Sequence, residues 1–176
     1  AKDFCWYDKL PLKGKRILVT RPRDRAGTLS EKLRALGADV TEYPCIETVP
    51  ILPCIEMERA LGRIGDYQWL AFTSPAGVEA FWSCLRGMGK DARHLGGVGL
   101  AAIGSGTAKA LAEHGLAADL IPSVYDAAHL GAELAEQASG KVLILRAEIG
   151  SPALTEALER GNIAYDDISV YRTVYE

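Results

Sequence analysis

Short apolar runs alternate with amphipathic stretches along most of the chain. The run at residues 69–72 has no polar break, which is typical of a parallel strand covered on both faces. Thr73 and Ser74 follow it, and Pro75 stands where a helix can accept proline in its first turn. Apolar residues then recur at helical spacing from Val78 onward. This stretch therefore predicts a strand, a polar turn and a helix in direct succession.

The same pattern recurs before and after this unit. Strands are predicted at residues 15–20, 40–43, 69–72, 98–103, 118–121, 142–145 and 168–174, and the second of them continues in extended form through residue 49. Six helices are predicted: one that ends at a C-cap at Gly37, one at 53–64, one that begins at 75, one at 108–114, one from an N-cap at Asp126 to 137, and one at 151–160. A surface loop is predicted at 86–97. This alternation favours an α/β fold with a flavodoxin-like parallel sheet flanked by helices.

An internal repeat suggests a division into two lobes. Residues 15–21 resemble residues 141–146, and residues 29–33 resemble residues 154–158. Each half reads as a strand, an arginine-bearing loop, a helix and a long strand. The two long strands would form a two-stranded bridge between the lobes.

Composition narrows the functional classes. The chain has 48% hydrophobic and 24% charged residues and a net charge of −3, so no global basic field favours nucleic acid or an anionic membrane. No signal peptide is expected, because the first four residues lack an apolar core region, and no run approaches the length of a membrane span. The four cysteines are scattered without a CxxC pair, which favours reduced thiols in the cytoplasm and gives no zinc-ligand spacing. No metal is expected.

No common catalytic signature is present: the chain has no nucleophile elbow, P-loop or HExxH motif. The glycines at 104 and 106 lack the third glycine of a dinucleotide fingerprint, so no cofactor is expected. What remains is a set of polar turns at strand ends. Such turns gather along one edge of a parallel sheet and offer N–H, hydroxyl and guanidinium groups to a phosphate or polycarboxylate. The alternative is a set of well-capped turns without a ligand.

Five segments of the chain, in their order and spacing, resemble uroporphyrinogen-III synthase: residues 14–22, 72–78, 102–108, 145–148 and 170–173. Residues 6–15 also resemble the join that follows a uroporphyrinogen methyltransferase domain. The resemblance implies two α/β lobes joined by a two-stranded ladder. Residues 1–43 would be a linker and part of the first lobe, residues 44–169 the second lobe, and residues 170–176 a strand returning to the first.

The resemblance implies a lyase without cofactor or metal. It would cyclise hydroxymethylbilane, a linear tetrapyrrole polycarboxylate, to uroporphyrinogen III with inversion of the last ring and loss of water. This reaction belongs to the tetrapyrrole pathway that leads to heme, siroheme and cobalamin, in the cytoplasm. The competing hypothesis is a non-catalytic module on the same fold that binds a small anion.

The resemblance also assigns residues. Tyr171 matches a cleft tyrosine that could assist departure of the hydroxyl group, or it packs between the lobes. Thr73 matches a strand-end threonine, and with Ser74 it would bind substrate carboxylates, although helix capping is the structural alternative. The secondary candidates for carboxylate contact are Arg21, Ser105, Thr107 and Arg146, the last more readily an ion-pair residue.

The resemblance covers about two thirds of a synthase, so we expect the chain by itself to be inactive. The incomplete first lobe would bury too little apolar area to fold alone. We expect it to pack on a second copy, on a swapped copy of the same segment or on the second lobe, and light scattering tests whether copies associate. A monomer whose residues 1–43 are protected from hydrogen exchange would contradict association between copies.

Overall fold

A computed structural model of the chain describes residues 9–175, without the side chains of residues 23–25. The predicted packing of Phe4, Trp6 and Tyr7 lies outside the described residues. The chain forms two compact units, one of Ala1–Val49 with Thr173–Glu176 and the other of Pro50–Arg172. The domain boundaries expected from the sequence, after residues 43 and 169, lie a few residues before these.

The described part of the chain contains alternating strands and helices. The strands are β1 (Arg16–Val19), β2 (Asp39–Glu42), β3 (Ile46–Pro50), β4 (Tyr67–Phe72), β5 (Gly99–Ala102), β6 (Lys141–Ala147) and β7 (Tyr165–Tyr175). The helices are α1 (Arg23–Ala35), α2 (Ile55–Gly62), α3 (Pro75–Gly87), α4 (Ser105–Glu113), α5 (Ala127–Gln137) and α6 (Ala153–Arg160).

Five strands form one sheet in the order β3-β7-β6-β4-β5. The pairs β4–β5, β4–β6 and β6–β7 are parallel, with Leu70 opposite both Leu100 and Leu143. This confirms the α/β fold with a parallel sheet flanked by helices. Because these four strands run in the same direction, their carboxyl ends meet at a single edge, which we call the carboxyl edge.

Both faces of this sheet are buried. Phe72 and Leu145 face a core that α2, α3 and α4 cover, whereas Ala71 and Ile144 face a second core under α5 and α6. All four side chains are fully buried. Burial on both faces explains why the strands read as unbroken apolar runs.

One predicted strand is wrong in detail. The strand expected at 118–121 is reduced to a single bridge between Leu120 and Ala101. The Asp119 carboxylate accepts the Leu100 N–H at 2.8 Å and so replaces a backbone partner, and Pro122 has no N–H to continue the pairing.

The segment expected to be extended from residue 40 to 49 forms two strands. β2 pairs with β1, whereas β3 lies beside β7 in the other sheet, so the expected neighbouring of the two long strands is found. Pro44, which cannot donate a ladder hydrogen bond, lies in the break between them. The loop expected at 86–97 also contains a 3₁₀ turn at Ala92–Leu95.

A polar cluster links strands at the opposite, amino edge of the large sheet. The Tyr67 hydroxyl donates to Asp166 at 2.5 Å, and the Lys141 ammonium lies 2.7 Å from the same carboxylate. Burial, together with the hydrogen bond to Asp166, raises the pKa of Tyr67 to about 12. These contacts connect the starts of β4, β6 and β7.

The first unit is built on the parallel pair β1 and β2, with Ile17 opposite Val40. Val19 is buried, but Leu18 is 59% exposed and Leu36 is 43% exposed. After α1, Gly37 adopts a φ of 92° against Leu10, a conformation and a space that suit only glycine. The predicted helix end at Gly37 is therefore confirmed, with Leu36 as the C-cap and Gly37 as the next residue.

The contact between α5 and α6 gives a stability prediction. A Cβ on Gly131 would lie 2.7 Å from the Ala157 Cβ and 2.8 Å from the Leu154 carbonyl oxygen. We expect Gly131→Ala to lower the free energy of unfolding by about 1–3 kcal/mol, as overpacking does. Gly87→Ala is the matched control, because nothing lies within 4 Å of a Cβ at that helical position.

Urea unfolding of both variants measures the difference. The control should be neutral or more stable by up to about 1 kcal/mol, since alanine favours helix. Equal stability of the two variants would contradict close packing of α5 on α6.

Candidate functional site

The residues that follow the buried runs of β4, β5 and β6 lie level with one another at the carboxyl edge. Phe72 pairs with Ala102 on one side and with Leu145 on the other, and Leu145 pairs with Ile168. The next residues are Thr73 after β4, Ile103 after β5 and Arg146 in β6, with Ser169 at the same level inside β7. The register thus brings Thr73 and Arg146 to the same edge, as expected from the sequence.

Thr73 and Ser74 have different roles in the turn between β4 and α3. The Ser74 hydroxyl accepts the Gly77 N–H at 3.1 Å and caps α3, whose first residue is Pro75. Within residues 9–175 the half-buried Thr73 hydroxyl has no hydrogen-bond partner. One hydroxyl of this turn is therefore engaged in capping, and its neighbour is available to a ligand.

The start of α4 is the second element of the edge. Its N-cap is Gly104, which provides no side-chain cap, and its first turn contains no acidic residue. Ser105 is exposed at the first helical position, whereas Thr107 is only 3% exposed. An uncapped helix start presents free N–H groups and the positive end of the helix dipole to an anion. Ser105 is therefore accessible, and Thr107 is enclosed.

Arg146 is held in an ion pair. Its Nε donates to the Asp167 carboxylate at 2.9 Å, its guanidinium also donates to the Ser151 carbonyl, and its side chain is only 13% exposed. A contact to a substrate carboxylate would require this pair to break. The geometry favours the structural role for Arg146.

Tyr171 lies within β7, opposite the end of β6, and Arg21 follows the end of β1. Tyr171 pairs with Ala147 at the end of β6, and its carbonyl accepts the Glu148 N–H at 2.9 Å. Its half-buried side chain packs against the core between the sheet and α2, α3 and α4. Arg21 follows β1 in the other unit and is exposed. The carboxyl edge of the large sheet therefore contains Thr73, Ser74, Ser105, Arg146 and Tyr171.

Tyr125, which no sequence motif marks as a site residue, also lies at this edge. A Cβ on Gly104 would lie 2.9 Å from the Tyr125 ring, so the ring rests on the backbone that begins α4. Tyr125 is 60% exposed. Its only signal in the sequence is an aromatic residue just before the helix N-cap Asp126.

The opposite edge offers a different environment. A cavity of about 380 Å³ is lined there by Tyr67, Asp166, Arg59 and Arg63, among others. Its carboxylate Asp166 is already paired with Lys141 and Tyr67, which hold its pKa below the usual range. In the part of the chain that is described, no three His, Cys, Asp or Glu residues group as metal ligands. The available Thr73 hydroxyl and the uncapped start of α4 lie at the carboxyl edge instead.

Comparisons with known proteins agree on one family. The family model of uroporphyrinogen-III synthase HemD matches residues 27–176. The porphyrin biosynthesis protein HemD of Ruminiclostridium josui is 43% identical over 177 residues, which cover 99% of this chain and 35% of that protein. The uroporphyrinogen-III synthase of Synechococcus elongatus is 31% identical, over 93% of this chain and 62% of its own length.

The fold also matches a solved structure. A mutant uroporphyrinogen III synthase of the extremely thermophilic bacterium Thermus thermophilus superposes with a TM-score of 0.68 at 20% identity, over 92% of this chain and 64% of that one. This chain thus spans about a third of the first relative's length and less than two thirds of the other two.

The division between Thr73 and Ser74 yields a prediction. Ser74→Ala should lower the free energy of unfolding by about 1 kcal/mol, because the Gly77 N–H loses its cap. Ser74→Asp restores an N-cap acceptor and should recover most of that loss. Thr73→Ala should leave stability nearly unchanged, since its hydroxyl has no partner within the described chain. Urea unfolding checks the three variants, and an equal loss in Thr73→Ala would mean that Thr73 is structural.

Proposed function

Since the chain belongs to the uroporphyrinogen-III synthase family, we propose that the protein containing it converts hydroxymethylbilane to uroporphyrinogen III. The observation that carries this proposal is the polar carboxyl edge of the large sheet. An available hydroxyl at Thr73 lies there on the strand next to the uncapped start of α4. Hydrogen-bond donors of this kind suit a substrate that carries carboxylates on every pyrrole ring.

The reaction requires one proton for the leaving hydroxyl group and accurate positioning of the substrate. The hydroxymethyl C–O bond breaks as a proton reaches its oxygen, water leaves, and the carbon bonds to the last pyrrole ring to give a spiro intermediate. We assign the hydrogen-bond donor to the Tyr171 hydroxyl, because β7 fixes its backbone at the carboxyl edge. In the spiro intermediate the bond from the last pyrrole ring to its original methylene bridge breaks and re-forms at the free α-carbon, which then loses its proton, so that the ring is inverted and the proton is returned. This rearrangement depends more on orientation than on a strong base.

Thr73 and Ser105 would bind substrate carboxylates through their hydroxyls, with the N–H groups at the start of α4. Ser74 would contribute mainly by fixing the turn. We keep Arg146 as a positioning residue of the loop that it holds through Ser151, rather than as a carboxylate ligand. Arg21 and Thr107 remain secondary candidates, Thr107 requiring a local opening of α4.

Partners and location complete the proposal. We propose a fused or adjacent uroporphyrinogen methyltransferase domain, supported by residues 6–15 and by the greater length of the Ruminiclostridium josui relative. Exposed Leu18, Leu36 and Tyr43 on the first unit support association with a second copy. Within residues 9–175, no helix is both long and apolar enough to cross a membrane. We propose the cytoplasm as the site of action.

A coupled assay tests the function. Hydroxymethylbilane is produced in place by its deaminase, and the product is oxidised and separated into type I and type III isomers. The protein that contains this chain should give mainly type III, above the spontaneous type I. The 176-residue chain assayed alone tests the expectation that it is inactive. Type I alone from the longer protein, together with saturable binding of the bilane, would favour the non-catalytic binding module.

Two substitutions separate the proposed roles in the longer protein. Tyr171→Phe should lower kcat by about 10²-fold, with a smaller effect on KM, because the phenol acts on the leaving oxygen in the transition state. Thr73→Ala should raise KM about 5- to 30-fold, equivalent to one lost hydrogen bond of about 1–2 kcal/mol.

Matched variants make these results interpretable. Thr73→Ser keeps the hydroxyl and should restore KM, whereas Tyr165→Phe removes a phenol at the amino end of the same β7 strand and should leave kcat unchanged. Wild-type kinetics in both Tyr171→Phe and Thr73→Ala would mean that the two residues have only a structural role. Thermal unfolding of each variant precedes the kinetic comparison.

A further inference from the structure

An exposed apolar segment borders the polar carboxyl edge. Ile121 is 41% exposed, Val124 48% and Tyr125 60%. Single exposed apolar side chains are common on protein surfaces. These three lie within five residues of one another, in the segment that connects α4 to α5. Tyr125 is the largest of them and contacts the start of α4.

The Tyr125 ring packs directly against the backbone of Gly104. A Cβ at residue 104 would lie 2.9 Å from the Tyr125 Cγ and 3.0 Å from its Cδ2, closer than side-chain atoms approach. The backbone of Gly104 is fully extended, with φ −179° and ψ 179°, which any residue can adopt. Glycine is therefore required here for the space that the ring occupies and not for its backbone conformation.

Hydrogen bonds on both sides hold the backbone that carries this ring. The Asp126 N–H donates to the Val124 carbonyl at 2.9 Å, so Tyr125 is the central residue of a tight turn. The Asp126 carboxylate accepts the His129 N–H at 2.8 Å, a bond that keeps the pKa of Asp126 below its ordinary value. Upstream, the Ser123 N–H donates to Glu133 at 3.0 Å.

The Gly104 backbone, on which the Tyr125 ring packs, lies next to the proposed carboxylate-binding groups. The Ile103 N–H donates to the Phe72 carbonyl at 3.0 Å, so the turn that contains Gly104 adjoins the turn that contains Thr73. Paired strands are about 4.8 Å apart. An exposed aromatic face thus stands beside an uncapped helix start and an available hydroxyl.

We propose that Tyr125 is a substrate-positioning residue whose ring packs on a pyrrole ring of the bound linear tetrapyrrole. This inference rests on the proposed function. The ligand combines flat ring faces with peripheral carboxylates, and the carboxyl edge offers an aromatic surface beside anion-binding groups. Ring packing of this kind adds affinity beyond hydrogen bonding. Because its backbone is already ordered, little conformational entropy is lost when Tyr125 binds.

The test measures steady-state kinetics with enzymatically generated hydroxymethylbilane, using the protein that contains this chain. Tyr125→Ser should raise KM by about 3- to 10-fold and change kcat by less than about twofold, as expected for a lost aromatic contact. Tyr125→Phe keeps the ring and should stay within about twofold of wild type in both constants. Tyr125→Leu keeps apolar area without a ring and should fall between them.

Tyr165→Ser is the matched control, because it removes a tyrosine at the amino edge that bonds Glu159 at 2.6 Å. It should lower the melting temperature without changing KM. Wild-type KM in Tyr125→Ser, or an equal rise in Tyr165→Ser, would overturn the role of Tyr125. An equal rise in Tyr125→Phe would also overturn ring packing, because the hydroxyl would then be the binding group.

The experiment distinguishes failure of the proposed function from failure of the inference about Tyr125. If the unsubstituted protein gives only the type I isomer, the proposed function is wrong. If it gives type III and Tyr125→Ser matches it at every substrate concentration, only the inference about Tyr125 is wrong. Thermal unfolding of Tyr125→Ser should be close to wild type, since the side chain is more than half exposed.

Discussion

Burial of β4 and β6 on both faces is the constraint on which the second unit depends. Leu70, Ala71 and Phe72 are completely buried, as are their neighbours on β6. Strands that are apolar on both faces must be covered by helices on both sides, and parallel strands are connected through such helices. This arrangement places every strand end and the next helix start at one edge. The position of the candidate site thus follows from the packing of the core.

Capping then decides which groups at that edge are available. Ser74 caps α3 and Asp126 caps α5, so one orphan N–H of each helix has a side-chain acceptor. Gly104 leaves the start of α4 without a side-chain cap and accommodates the Tyr125 ring. The same glycine therefore creates both the open helix start and the aromatic surface beside it. This local chemistry distinguishes one turn from the others in an otherwise regular sheet.

Charge pairing divides the polar residues further. Arg146 is paired with Asp167, and Tyr67 and Lys141 share Asp166, so these groups stabilise strand contacts. Thr73 and Ser105 have no comparable engagement in the described residues. Family membership is shown, whereas the relatives' greater length leaves the whole activity as a proposal.

Local chemistry in the sequence determined the parallel α/β architecture, the cap at Asp126, the positive φ at Gly37 and the polar turn at Thr73. Each depends on residues close together in the chain: an apolar run, a capping side chain or a glycine. Tertiary structure alone decided that Asp167 engages Arg146, that Tyr125 rests on Gly104, and that Asp119 interrupts the expected strand at 118–121. These outcomes depend on which of several possible partners the fold brings within hydrogen-bond or van der Waals distance. Spacing along the chain does not encode that choice, because it is made by sheet register and helix packing.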